Sequence, residues 1–196
     1  MDIDADAEFE RLASAFPESI RGDARAALSH LPPAEHAAMC SIATTNSAVR
    51  WPQLSVGGEV VDIPTRQYHP VVSLDGALPR YRPILACIYT RHNDGFVRQQ
   101  ALRAVFESDE PWTAPFVVQL LGEYVLDIVA DVARVVTDPP DSRTIAYARF
   151  LADNPEFSIL TRARAASYWN EYYRRDYPHV ANYPAMLALS ALTAPR

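Results

Sequence analysis

Apolar residues recur every three or four positions along most of this chain, which is the signature of helices that bury one face. The runs EFERLASAF (8–16) and ESIRGDARAALSHL (18–31) both show it. The second meets Pro32-Pro33, where a ring without an N–H ends a helix. Pro33 also suits the first turn of a third short helix over PAEHAAMCSIA. The period changes in WPQLSVGGEVVDIPTRQY (51–68). Two short β-prone runs flank Gly57-Gly58, a pair able to take the positive φ angles of a tight turn, so a hairpin is predicted near 53–63. Pro52 and Pro64 bound it and confine it to an isolated edge element. From His69 to Pro83 the chain reads as loop.

Helical spacing returns at PILACIYTRHN (83–93) and GFVRQQALRAVFES (95–108), with Asp94 placed to cap the second. On that second run Val97, Ala101, Leu102 and Val105 share a face. APFVVQLLGEYVLDIVADVARVV (114–136) reads as one long helix. Its polar residues Gln119, Glu123, Asp127, Asp131 and Arg134 fall at steps of four, four, four and three, on one stripe of an otherwise apolar cylinder. A helix apolar around most of its girth must be surrounded by others, so this stretch is predicted to be central. Gly122 within it marks a close crossing or a weak point. Asp141 caps a helix over 142–153, Asn154-Pro155 starts another over 155–175, and AMLALSALT closes the pattern. The expected fold is mainly α, stacked antiparallel helix pairs with one small hairpin. It is expected to be one domain over 1–196: N-terminal helices to residue 50, hairpin and loop over 51–82, and paired helices over 83–196.

The run from Asp94 to Leu102 has the form D-x-x-V-R-x-x-A-L, and PILACIYTRHN precedes it. Together, residues 83–108 resemble one unit of a HEAT-like helical repeat. The resemblance implies that Asp94 caps the second helix, that Val97, Ala101 and Leu102 pack on its partner, and that Arg98 pairs with acids nearby. It extends to fold only, since such folds serve many functions.

Composition narrows the function classes. At 196 residues, with 49% apolar and 21% charged residues, the chain is long enough for a substantial core. MDIDADAEFE lacks a basic then apolar leader, and the apolar 114–136 run is broken by charges, so a cytoplasmic, bacterial protein is expected, without a membrane span. All 18 basic residues are Arg and the net charge is −6, which weighs against a nucleic-acid binder. Cys40 and Cys87 stand far apart with no CxxC, which gives neither a disulfide framework nor a zinc motif.

Three constellations remain. The stripe Glu123, Asp127, Asp131 either faces solvent, pairs with internal arginines, or recognises a basic partner. A di-iron site would need Glu-x-x-His elements, which are missing, so no metal or cofactor is expected. The block 163–183 mixes six aromatic residues with Arg. Ala165, Ala166, Trp169, Tyr172 and Tyr173 fall on one helical face, expected to pack, and Arg164, Tyr168, Glu171 and Arg175 on the other, where Tyr and Arg suit a protein interface. Finally, His92 and Asp94 precede Gly95. They read as an ordinary turn, or as an acid–base pair needing a third group such as His69 or Glu123. No GxSxG, Walker A, GxGxxG or HExxH motif occurs. The expectation is a non-catalytic protein-binding module of adaptor, regulatory or immunity type. It would use Glu123, Asp127, Asp131, Arg164, Tyr168 and Arg175 toward a protein partner, a basic one suiting the acids. The alternative is an enzyme near His92 and Asp94, possibly acting on nucleic acid.

Overall fold

A computed structural model describes residues 5–34, 53–137 and 141–194. They form two compact units, residues 1–108 and 109–196, each treated by itself. The fold is mainly helical with one two-stranded antiparallel sheet.

In the first unit, α1 (Ala5–Ala13) and α2 (Glu18–Leu28) pack together. Leu12, Phe16, Ala24 and Leu28 are fully buried. Between the two helices, the Arg25 guanidinium forks onto Glu10 at 2.8 and 3.0 Å. The hairpin forms where the glycine pair required it: β1 (Leu54–Val56) pairs with β2 (Glu59–Val61) in the register Leu54 to Val61. Gly57 and Gly58 take φ of 62° and 88°, values that L side chains seldom adopt. The hairpin is tied to the helices by the Asp62 N–H, which donates to the Ser14 carbonyl at 3.1 Å. The third helix expected from Pro33 lies outside the described residues.

Among the described residues of this unit two further helices follow, α3 (Arg82–Tyr89) and α4 (Gly95–Val105), and they pack against each other. The Asp94 carboxylate caps α4 by accepting from Phe96 N–H at 2.8 Å. Arg98 is buried and its Nη1 donates to the carbonyls of His92 (2.8 Å) and Asn93 (2.9 Å). A second buried arginine, Arg91, donates to the carbonyls of Pro64 (3.0 Å) and Thr65 (2.5 Å). Buried guanidinium groups are tolerable only when hydrogen-bonded, and here backbone oxygens of the connecting loops serve them.

In the second unit the expected helix over 114–136 is interrupted, which corrects the sequence reading. A short α5 (Ala114–Val118) tightens into a 3₁₀ turn at Gln119–Gly122. Glu123 is then extended (φ −112°, ψ 167°), and α6 starts afresh at Leu126 and runs to Thr137. The carbonyls freed by the break are met from far away in sequence. Arg164 Nε donates to the Gly122 carbonyl at 3.1 Å, and the Tyr173 hydroxyl donates to that of Tyr124. Burial of the stretch matches expectation, with Phe116, Val117, Val118, Leu120, Leu121, Ile128, Val129 and Val132 all sealed from solvent.

Three further helices enclose this core: α7 (Ser142–Asp153), α8 (Pro155–Tyr168) and α9 (Pro184–Thr193). The Asp141 side chain accepts from Thr144 N–H at 2.9 Å, as its cap position predicted. The closing helix α9 packs along α6 with Ala185, Ala188 and Leu189 inward. Residues 155–175 do not continue as one α-helix, because a π-helical turn occupies Trp169–Tyr173.

Candidate functional site

All six residues singled out for binding lie in the second unit, but the helical stripe that grouped the acids does not exist. With the backbone extended at Glu123, positions 119, 123 and 127 lose their common face. Gln119 and Glu123 are buried, Asp127 is exposed, and Asp131 pairs with Arg134 at 3.2 Å one turn on.

What the structure assembles is a row of tyrosines. Tyr124, in the break before α6, lies 6.0 Å from Tyr168 at the end of α8, measured between ring centroids. Tyr168 stacks on Tyr172 at 6.3 Å, Tyr172 meets Tyr173 edge-on at 6.2 Å, and Tyr173 stacks on Tyr183 at 5.6 Å. Tyr177 closes the row against Tyr183 at 5.7 Å. The π-helical turn produces this arrangement. One residue more per turn rotates the following side chains, so Tyr172 leaves the packed face expected for it and stands 60% exposed. Tyr124 is 50% exposed. Between them Tyr168 is half-buried, with the Arg164 guanidinium 6.0 Å from its ring. Trp169 turns inward enough for its indole N–H to donate to the Tyr177 carbonyl at 2.8 Å, which holds the chain after the π turn.

The row is graded from wet to dry. Tyr183 is fully buried and its hydroxyl has no hydrogen-bond partner among the described residues. Burial raises its phenol well above the ordinary value, with Tyr173 and Tyr177 adding to the effect. Burial likewise raises Tyr173, against a hydrogen bond from the Leu126 backbone that lowers it, while the nearby Asp127 charge adds to the rise. Asp127 therefore sits at the edge of the aromatic row. Glu123 is buried and follows Gly122, whose carbonyl Arg164 holds. Arg175 is exposed beyond the π turn. Tyr124, Tyr172 and Tyr183 were not among the predicted binding residues. Tyr168 and Tyr172 stand at helical spacing, but Tyr124 and Tyr183 join the row from separate segments, so helical spacing carried no signal of the whole cluster.

The turn at His92 and Asp94 is built differently. The Asp94 N–H donates to His92 Nδ1 at 3.0 Å, and the Asp94 carboxylate is engaged by the α4 cap. Burial lowers the His92 ring below its ordinary value, against a hydrogen bond to the His69 backbone that raises it. His92 thus shares its ring between two backbone segments. His69 faces elsewhere: its Nδ1 is 2.9 Å from the Pro32 carbonyl, and its Nε2 is 3.7 Å from Glu8.

Cys87 is fully buried, and burial raises its thiol well above the usual range, which suppresses the reactive thiolate. Cys40 lies outside the described residues. Among the described residues no cluster of three His, Cys, Asp or Glu is placed to hold a metal ion. No helix among them is long and apolar enough to cross a membrane. The chain matches no family model, no curated protein and no solved structure.

Proposed function

We propose that this chain is a non-catalytic protein-binding module, of adaptor, regulatory or immunity type, whose contact surface is the tyrosine row of its second unit. The observation that carries this reading is the pair of exposed rings, Tyr124 and Tyr172, each packed against the half-buried ring of Tyr168. Tyrosine supplies large amphipathic contact area with two side-chain torsions to immobilise, and these torsions are already restrained by stacking. Such preorganised aromatic anchors are what hot spots use. Asp127 at the edge of the row favours a partner that brings a basic side chain, with Arg164 and Arg175 as further polar contacts. The helix pair α3–α4, with its Asp94 cap and packed Ala101 and Leu102, supports a HEAT-like unit and so a scaffold role for the first unit. A cytoplasmic setting in a bacterial cell completes the proposal.

The test is site-specific photocrosslinking in the native host. A benzophenone amino acid at position 172 is expected to give one discrete protein adduct that the same group at exposed Val60 does not give. No adduct at 172, or the same adducts from both positions, contradicts the reading.

A further inference from the structure

The stretch joining the hairpin to α3 presents a strand edge that the other described residues leave unused. From Arg66 to Ser73 the chain runs without a turn. Its beginning is bonded like a strand, since Gln67 N–H donates to the Arg91 carbonyl at 3.0 Å and Asn93 N–H donates to the Gln67 carbonyl at 3.1 Å. Farther on, one hydroxyl replaces a whole neighbour. Tyr89 OH donates to the Pro70 carbonyl at 2.9 Å and accepts from Val72 N–H at 2.9 Å. Those are the two bonds that a parallel strand residue would make around Val71.

In extended chain the backbone groups of successive residues point to opposite edges. With Pro70 and Val72 turned toward Tyr89, the N–H and C=O of Val71 and Ser73 point the other way, and no backbone group among the described residues meets them. Val71 is 54% exposed, while Val72 and Leu74 are half-buried. This segment borders a cleft of about 390 Å³, whose far wall includes Val97, Ala101 and Ala104 of α4. A cleft of that size lies at the small end of binding clefts and has room for the aliphatic side chains of a short peptide.

The charges at the cleft are matched in kind. Arg82 pairs with Glu107 at 3.0 Å, leaving exposed Arg103 and exposed Asp75 as one cation and one anion without an ion pair among the described residues. An occupant that satisfies the cleft therefore carries its own acid and its own base.

We propose that Val71–Ser73 and this cleft form a second recognition site, which binds an extended segment of a partner protein by strand addition. The segment alternates aliphatic and polar residues, seats its aliphatic side chains against Val97 and Ala104, and offers one acidic side chain to Arg103 and one basic side chain to Asp75. Main-chain hydrogen bonds give the affinity and the aliphatic pocket gives the register.

The experiment titrates the full chain, followed by amide NMR, with capped peptides KVTVE and EVTVK and with the same peptides N-methylated at both valines and at the threonine between them. N-methylation keeps every side chain but removes the ladder donors, and it leaves the folding of the protein untouched. The account expects the better unmethylated peptide to bind at least tenfold more tightly than its methylated form. It also expects bound peptide to slow hydrogen exchange at the Val71 and Ser73 amides, and Arg103→Ala to weaken binding about threefold. Equal binding of the methylated peptide overturns the proposal. So does unchanged exchange at Val71 and Ser73, absence of binding at millimolar peptide, or pairing of two copies of the chain through this edge in place of the peptide.

Discussion

Tyr183 shows at the scale of one atom what the aromatic row costs. Its ring is stacked and fully buried, yet its hydroxyl meets no acceptor among the described residues, and an unsatisfied buried polar group is destabilising by about 1–3 kcal/mol. Tyr183→Phe keeps the stacking and removes the oxygen. It is expected to raise stability by roughly 1 kcal/mol in denaturant unfolding, and a loss of that size would mean the hydroxyl has a partner. Glu8 gives a different kind of prediction. Burial alone would raise its carboxyl, but the His69 ring beside it and the hydrogen bonds from Arg11 overcome this and lower it from 4.5 to about 2. The native state thus favours the charged form. The resulting stability is fully present above pH 4.5 and is lost as pH falls toward 2. Because Glu8 is partly solvated, its value is on the order of 1 kcal/mol. Glu8→Gln should therefore destabilise the chain at pH 7 but leave it matching the parent at pH 2, measured by thermal unfolding. An equal difference at both pH values would exclude the linkage. At this scale the sequence was legible where partners are local. The caps at Asp94 and Asp141 and the turn at Gly57-Gly58 each need groups no more than three residues away, and each was readable. Arg98 was expected to pair with acids, and the carbonyls of His92 and Asn93 that receive its Nη1 became visible only in the folded turn.

At the scale of elements, the two departures from expectation have one cause. Residues 114–136 and 155–175 both have helical periodicity, and both are reshaped by tertiary partners. Arg164 and Tyr173 supply donors to the carbonyls at 122 and 124, and this satisfies the backbone that a broken helix exposes. The π turn at 169–173 brings Tyr173 to that position. Propensity cannot report such a trade, because the compensating donors are 42 and 49 residues distant. Gly122 itself is not a forced choice. A Cβ there would meet Thr161 Cγ2 at 3.5 Å and Arg164 Cβ at 3.6 Å, which is ordinary contact, and its φ is not positive. Gly122→Ala is expected to change stability by less than about 1 kcal/mol and to leave the fold intact. A loss above about 3 kcal/mol would show that the break depends on glycine.

At the scale of the molecule, class and content were readable while the surface was not. The mainly helical fold with one hairpin follows from periodicities of 3.6 and 2 that lie within short windows. The tyrosine row draws on residues 124, 168, 172, 173, 177 and 183, which no single helical wheel contains. It replaces the acidic stripe as the proposed contact surface, keeping Asp127, Arg164, Tyr168 and Arg175 and adding Tyr124 and Tyr172. The account therefore stands or falls on whether those two exposed rings contribute binding energy. The direct measurement is the affinity for the partner crosslinked at position 172, determined by calorimetry for the parent chain and for the Tyr124→Ala, Tyr172→Ala double variant, with melting temperatures checked alongside. Loss of two such anchors is expected to weaken binding at least thirtyfold, roughly 2 kcal/mol, with the fold unchanged. An unaltered affinity in a folded double variant would contradict it.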